Sequence, residues 1–339
     1  VTNFSDFSAH PLKVLKKNQF FIDRLKIHQD KKGQSAIVLI KHNLVILEEN
    51  MSVIDAHLHV FRRYSEDYPR PIHAGLAEAD REVRAEDLIK EMEKAGVDKA
   101  ILVPLGPEDR YVAEVQREHP GKFAAVGIFD ATANDQEENL DSRIAQSRIQ
   151  GIRVGFVDQR ENPGEDPRSF EMFPLFKAMA ERKLRVWFYA EPPQVKLFDK
   201  VLKELPELVA VFNHCGFMVS LDNLAIDEHN RPHFSVKLPP ETLDLLEMVA
   251  ANPNTYVHFS GQYAFTHDPY PHNDMKPVAQ RLLRIFGPNR MLWASDFPWI
   301  TEQPGYQEQL ALVDHLLPDL SLEDRARICG GNAEELFVF

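Results

Sequence analysis

The chain has 339 residues, 44% of them hydrophobic and 27% charged, with a formal net charge of −13 at pH 7. A chain of that size can bury a large core as one α/β barrel, and its acidic balance argues against nucleic acid or an anionic membrane surface as a partner. Two cysteines, Cys215 and Cys329, are too few for a disulfide framework and suit a reducing cytoplasm.

Residues 1–50 hold eight Lys/Arg against five Asp/Glu, so residues 51–339 carry −16. The shift falls at Met51, and the expectation is that Met51 is the true start or that residues 1–50 are an appended arm. The apolar stretch at 36–47 is broken by Lys41, His42 and Asn43 and is too short to span a membrane. It also lacks the clean apolar core and small-residue cleavage site of a signal peptide. Ser35 to Ile40 followed by Leu44 to Leu47 reads as a hairpin, placed to cap the closed end of a barrel.

After Met51, β-branched runs alternate with amphipathic helical stretches, the pattern of a parallel sheet built from βα units. The first run, 53–60, reads Val-Ile-Asp-Ala-His-Leu-His-Val. Strict alternation predicts that Asp55, His57 and His59 share one face, from which the two imidazoles can converge on one ion or one reacting group. Further strands are predicted at 99–104, 123–129, 151–156, 185–190, 208–213, 255–260 and 290–295. Between them, Leu88, Ile89 and Met92 mark a helix over 85–95, and Leu243, Leu245, Leu246 and Val249 one over 241–250. Eight strands alternating with helices imply a (β/α)8 TIM barrel.

Such barrels carry their chemistry at the C-terminal ends of the strands, and several of these strands end in polar groups. Arg153 lies on the fourth, Tyr189 and Glu191 end the fifth, His214 follows the sixth, His258 is on the seventh and Asp296 ends the eighth. Long loops at 61–84, 215–238 and 261–276 follow the first, sixth and seventh strands, and loops of that length usually shape a pocket.

The segments Asp55-Ala-His-Leu-His59, Asn213-His-Cys-Gly216, Phe286 to Pro298 and Gly331 to Phe337 together resemble the amidohydrolase superfamily. The resemblance covers residues 52–339. It points to the amidohydrolase-2 branch, which includes pyrone-dicarboxylate and sugar lactonases and, more distantly, aminocarboxymuconate-semialdehyde and resorcylate decarboxylases. It implies that His57 and His59 are first-strand metal or active-site ligands, His214 the sixth-strand histidine and Asp296 the carboxylate that handles protons. Glu191, before Pro192, stands where metal-dependent relatives place a histidine. A carboxylate there can also ligate, so the expected metal set is His57, His59, Asp296 and Glu191 around one divalent ion, Zn or Mn. Metal-free catalysis, as in part of the lactonase branch, is the other expectation. No lysine ends the fourth strand, which argues against a binuclear site.

These residue types suggest a division of labour. Asp296 takes a proton from water, His214 polarises the substrate carbonyl or stabilises the oxyanion, and Arg153 grips a substrate carboxylate bidentately. Tyr189 and His258 line the pocket, and Cys215 is a small buried residue rather than a nucleophile. The expected activity is hydrolysis of a small carboxylated or cyclic ester (lactone) substrate. A metal-dependent decarboxylase of an unsaturated or aromatic acid is the alternative, and a non-catalytic ligand-binding barrel the second. The expected partner is a small-molecule substrate, with a homo-oligomer of the same chain also in view.

Overall fold

The computed structural model describes residues 52–339; the proposed arm, hairpin and alternative start within residues 1–50 lie outside the described residues. Eight strands form one parallel sheet in sequential order: β1 Ile54–Leu58, β2 Lys99–Leu102, β3 Phe123–Ile128, β4 Ile149–Val154, β5 Arg185–Phe188, β6 Ala210–Phe212, β7 Thr255–Phe259 and β8 Met291–Trp293. Outside them run α1 Ala85–Ala95, α2 Arg110–Glu118, α3 Gln136–Ser147, α4 Phe173–Glu181, α5 Pro192–Glu204, α6 Leu243–Val249, α7 Lys276–Phe286 and α8 Tyr306–Leu316. The (β/α)8 expectation therefore holds, with every strand close to its predicted place and all eight ending earlier. α1 has its predicted bounds because Gly96, in the left-handed region at φ 72°, turns the chain and donates its N–H to the Met92 carbonyl.

Two apolar layers result. Outward residues such as Leu58, Leu102, Phe188, Phe212 and Trp293 meet helix residues such as Leu88, Met92 and Val112. Inward residues Ile54, Ala56, Ile101, Val103, Ala124, Val126, Trp187, Val211 and Leu292 fill the barrel. The floor of the interior is supplied by the end of the chain, where Ala333, Leu336 and Phe337 join that inner layer. The chain approaches β1 so closely there that a Cβ on Gly330 would lie 1.8 Å from the Ser52 carbonyl oxygen.

β1 departs from strict alternation. Its register against β2 shifts between Asp55 and Leu58, so that one residue is spent as a bulge. Ile54 and Ala56 face the interior and Leu58 the helices, which puts Asp55 on the opposite side from His57. The predicted common face of Asp55 with the two histidines is thus corrected.

Asp55 instead closes the barrel. Its Oδ1 accepts the Ser295 N–H at 2.8 Å and its Oδ2 accepts the Tyr306 hydroxyl of α8 at 2.7 Å. Beside it, Asp296 N–H donates to the His57 carbonyl at 2.9 Å and His59 N–H to the Phe297 carbonyl at 2.7 Å. The first and last strands are joined by these bonds.

Candidate active site

The bulge in β1 delivers His57 and His59 to the interior at the strand's C-terminal end, their rings 4.9 Å apart and edge to face. From β8 the chain turns at Asp296, which sits in the left-handed region at φ 62°. After β6, His214, Cys215 and Gly216 are successively left-handed at φ 48°, 55° and 68°. Such a backbone costs a non-glycine residue roughly 1–2 kcal/mol. Strain of this kind gathers where geometry is held for a purpose, and here it falls on two of the predicted site residues. Gly261, after β7, makes room for the imidazole: a Cβ there would lie 2.9 Å from His214 Cβ.

Asp296 is the centre of the arrangement. His57 Nε2 and His59 Nε2 lie 3.6 and 3.7 Å from its Oδ1, and His214 Nδ1 lies 3.8 Å from Oδ2. Oδ2 accepts a 2.6 Å hydrogen bond from the Tyr263 hydroxyl. Oδ1 has no hydrogen-bond partner among the described residues. Burial pushes the Asp296 carboxyl up to about 7, against the pull of the Tyr263 bond and the Arg153 charge.

The imidazoles shift the other way. Burial lowers His59 and His258 to about 3 and holds His57 and His214 well below their ordinary value. All four are therefore neutral near pH 7, each with one nitrogen lone pair to offer. For His59 the tautomer follows from its partner: Nδ1 donates to the Val103 carbonyl at 2.9 Å, which leaves the Nε2 lone pair facing Asp296.

His57, His214 and Asp296 offer ligand atoms that all lie within 4.8 Å of one another. Both ring nitrogens of His57 and Oδ1 of Asp296 are buried without partners. Two neutral imidazoles and a carboxylate suit Zn²⁺ or Mn²⁺, so these residues fit one divalent ion. The set differs from the expected one. Glu191 is exposed at the start of α5, where its carbonyl caps the helix while its side chain makes no hydrogen bond among the described residues; His214 takes the place the sequence reading gave it. His59 stands beside the group, its Nε2 3.7 Å from Asp296 Oδ1.

Of the remaining predicted residues, Arg153 and Tyr189 are brought together, with the guanidinium 5.4 Å from the tyrosine ring centroid and the Tyr189 ring 5.3 Å from His214. Arg153 has neither an ion pair nor a hydrogen bond among the described residues. His258, expected as a pocket wall, is fully buried at 0% exposed. Its ring lies beneath His57 at 5.4 Å and against Trp187 at 4.6 Å. Cys215 is buried, and burial pushes its thiol up to about 12, where it stays protonated. Sequence reasoning missed Tyr263, Trp187 and Ser260, whose Oγ lies 3.2 Å from His214 Nδ1. Ser260 and Trp187 sit at or beside strand ends and were open to the same reasoning, whereas Tyr263 gives no signal beyond being one of several loop tyrosines.

A family model described as Amidohydrolase matches residues 54–339, and the chain belongs to that family. It is 24% identical over 291 residues to L-fucono-1,5-lactonase of Burkholderia ambifaria, an alignment that covers 83% of this chain and 93% of the lactonase. Among solved structures it is similar to an amidohydrolase from Burkholderia multivorans with bound zinc, at TM-score 0.62 and 20% identity, covering 84% of this chain and 98% of that one. It is also similar to 5-carboxyvanillate decarboxylase from Sphingomonas paucimobilis, at TM-score 0.53 and 17% identity, covering 86% of this chain and all (100%) of that one. The structural likenesses establish a common fold.

Proposed function

We propose that this amidohydrolase-family enzyme opens a lactone, or hydrolyses a related ester of a small carboxylated compound, with Asp296 as the general base. The observation that carries the reading is the uneven state of the Asp296 carboxylate. One oxygen is held by Tyr263, and the other faces two neutral imidazoles without a partner. A carboxyl raised to about 7 is ionised enough at neutral pH to accept a proton and basic enough to remove one from water as it attacks.

The other groups take supporting roles. In the metal-free enzyme, with Ser260 Oγ–H donating to Nδ1, His214 carries its proton on Nε2 and presents it to the carbonyl oxygen as negative charge develops there. Arg153, beside Tyr189 and without a hydrogen bond among the described residues, holds a substrate carboxylate as a two-toothed donor. His57, His214 and Asp296 would hold a divalent ion, with His59 adjacent; when bound, such an ion supplies Lewis-acid polarisation and lowers the pKa of water. The lactonase activity of the Burkholderia ambifaria relative supports the choice of a cyclic ester.

The decarboxylase likeness, together with the same metal-capable set, supports a second reading in which an aromatic or unsaturated acid loses CO₂. A panel of sugar and pyrone lactones, assayed by acid release with zinc-loaded and chelator-treated protein, tests the first reading. Ring opening of at least one lactone is expected. CO₂ release from hydroxybenzoates with no lactone opened would replace hydrolysis by the second reading.

A further inference from the structure

We propose that Tyr263 is a positioning residue that makes Asp296 a one-sided base, holding Oδ2 so that the proton taken from water arrives only at Oδ1. This rests on the hydrolase reading above and adds to it a residue and a direction. A carboxylate free to turn about its Cβ–Cγ bond interchanges its two oxygens, so a base anchored only at its backbone presents either one. Here the 2.6 Å bond from the Tyr263 hydroxyl occupies Oδ2, and the left-handed backbone at Asp296 is fixed by its own N–H on the His57 carbonyl. Both ends of the side chain are thereby held.

Tyr263 is itself anchored from several directions. It is 3% exposed, in a one-turn helix, Gln262–Phe265, that follows β7. Gln262 accepts a hydrogen bond from the Gln309 side chain of α8 at 2.7 Å. Phe265 stacks on Phe217 at 3.9 Å, and the Ala264 carbonyl accepts the Phe234 N–H at 2.8 Å. The loop after β6 reaches the tyrosine as well, placing the Arg231 guanidinium 6.0 Å from its ring centroid. Arg231 is in turn clamped to Asp227 at 2.7 Å and to the Gln303 carbonyl at 2.8 Å. A phenol so constrained keeps its hydroxyl oxygen against Oδ2 of Asp296.

The consequence for the reaction is directional. Oδ1 faces the space shared by His57 and His59. The attacking water is therefore drawn from that side. One of its O–H bonds breaks as the proton bonds to Oδ1, the oxygen's electron pair bonds to the carbonyl carbon, and the carbonyl π pair moves to its oxygen, toward His214. Tyr263 keeps its own proton throughout.

The test is Tyr263→Phe, which retains the ring and removes the hydroxyl, followed with whichever substrate the wild type turns over. The expected result is a fall in kcat of about 10–100-fold, with KM within about twofold and a protein that still folds. In an Asp296→Asn background the same change is expected to cost less than about twofold, because its effect passes through that carboxylate. Retention of kcat in Tyr263→Phe, or an equal loss in both backgrounds, would overturn the proposal. Should the variant fail to fold, the wild type still reports. A slowly exchanging, downfield phenolic proton in its NMR spectrum that shifts in Asp296→Asn supports the bond, and a spectrum without it overturns the bond. A wild type that releases CO₂ and opens no lactone removes the hydrolase reading while the Tyr263 comparison stands.

Discussion

The seam between the first and last strands and the mouth of the barrel each hold one buried carboxylate, and the two differ in what surrounds them. Asp55 at the seam has both oxygens taken, by the Ser295 N–H and the Tyr306 hydroxyl. Asp296 at the mouth has one oxygen taken and one bare. Burial raises both carboxyls, Asp55 to about 6 and Asp296 to about 7. A raised pKa therefore marks neither as chemical. The unspent oxygen, aimed at two imidazoles, is what separates the base we propose from the group that holds the fold together.

The sharpest way to test that division is to remove each carboxylate in turn. Asp296→Asn is expected to lower kcat by about 10²–10⁴-fold without lowering the urea midpoint, since Asn still accepts from Tyr263 and carries no buried charge. Full turnover in this variant would return Asp296 to a structural role. Asp55→Ala is expected to do the reverse. It strands the Ser295 N–H and Tyr306 hydroxyl in the interior at a cost of about 2–4 kcal/mol, read as a lower urea midpoint, with kcat per folded molecule largely kept.

The same pair predicts how stability depends on pH in chelator-treated protein. Both folded pKa values lie above the ordinary 3.8, so the folded protein binds protons that the unfolded chain releases. That contribution is fully present below about pH 4 and is lost as the pH rises through 6 and 7. Urea midpoints that decline between pH 5 and 8 in the wild type, and decline less in Asp55→Asn, are the expected outcome; a flat wild-type profile would speak against it.

Smaller effects sharpen the mouth. Gly261→Ala places a methyl 2.9 Å from His214 Cβ at a backbone φ of 75°. We expect about 1–2 kcal/mol of lost stability and a drop in kcat as the imidazole is displaced; an unaltered kcat would show that His214 tolerates being moved. Glu191→Ala lies at the bottom of the scale. An exposed side chain without partners among the described residues is expected to change stability by under about 0.5 kcal/mol and zinc affinity not at all, whereas a zinc-binding defect would restore it to the ligand set.

Much of this was legible in the chain itself. β-branched runs at regular intervals gave the eight strands because packing on both sides of a parallel sheet demands such residues. His57, His59, His214 and Asp296 were readable as strand-end polar groups, and the structure brings their rings and carboxylate together. The bulge in β1 was not readable, because alternation has no mark for a residue spent without a partner, and so Asp55 was given the wrong face. Glu191 was read from its place before Pro192, but the chain turns straight into α5 there and leaves the side chain in solvent. Tyr263 acquires meaning only when β7 and β8 lie side by side, which local sequence does not state.

The barrel's floor has a consequence for how such a chain is made. Ala333, Leu336 and Phe337 complete an interior whose walls come from strands up to 283 residues earlier in the sequence (Ile54 to Phe337). During synthesis the walls emerge first and the plug afterwards, so a nascent barrel waits with an open, apolar lumen until residue 337 has left the ribosome. A premature stop or a proteolytic cut ahead of Ala333 would yield a leaking vessel that retains every residue of the mouth.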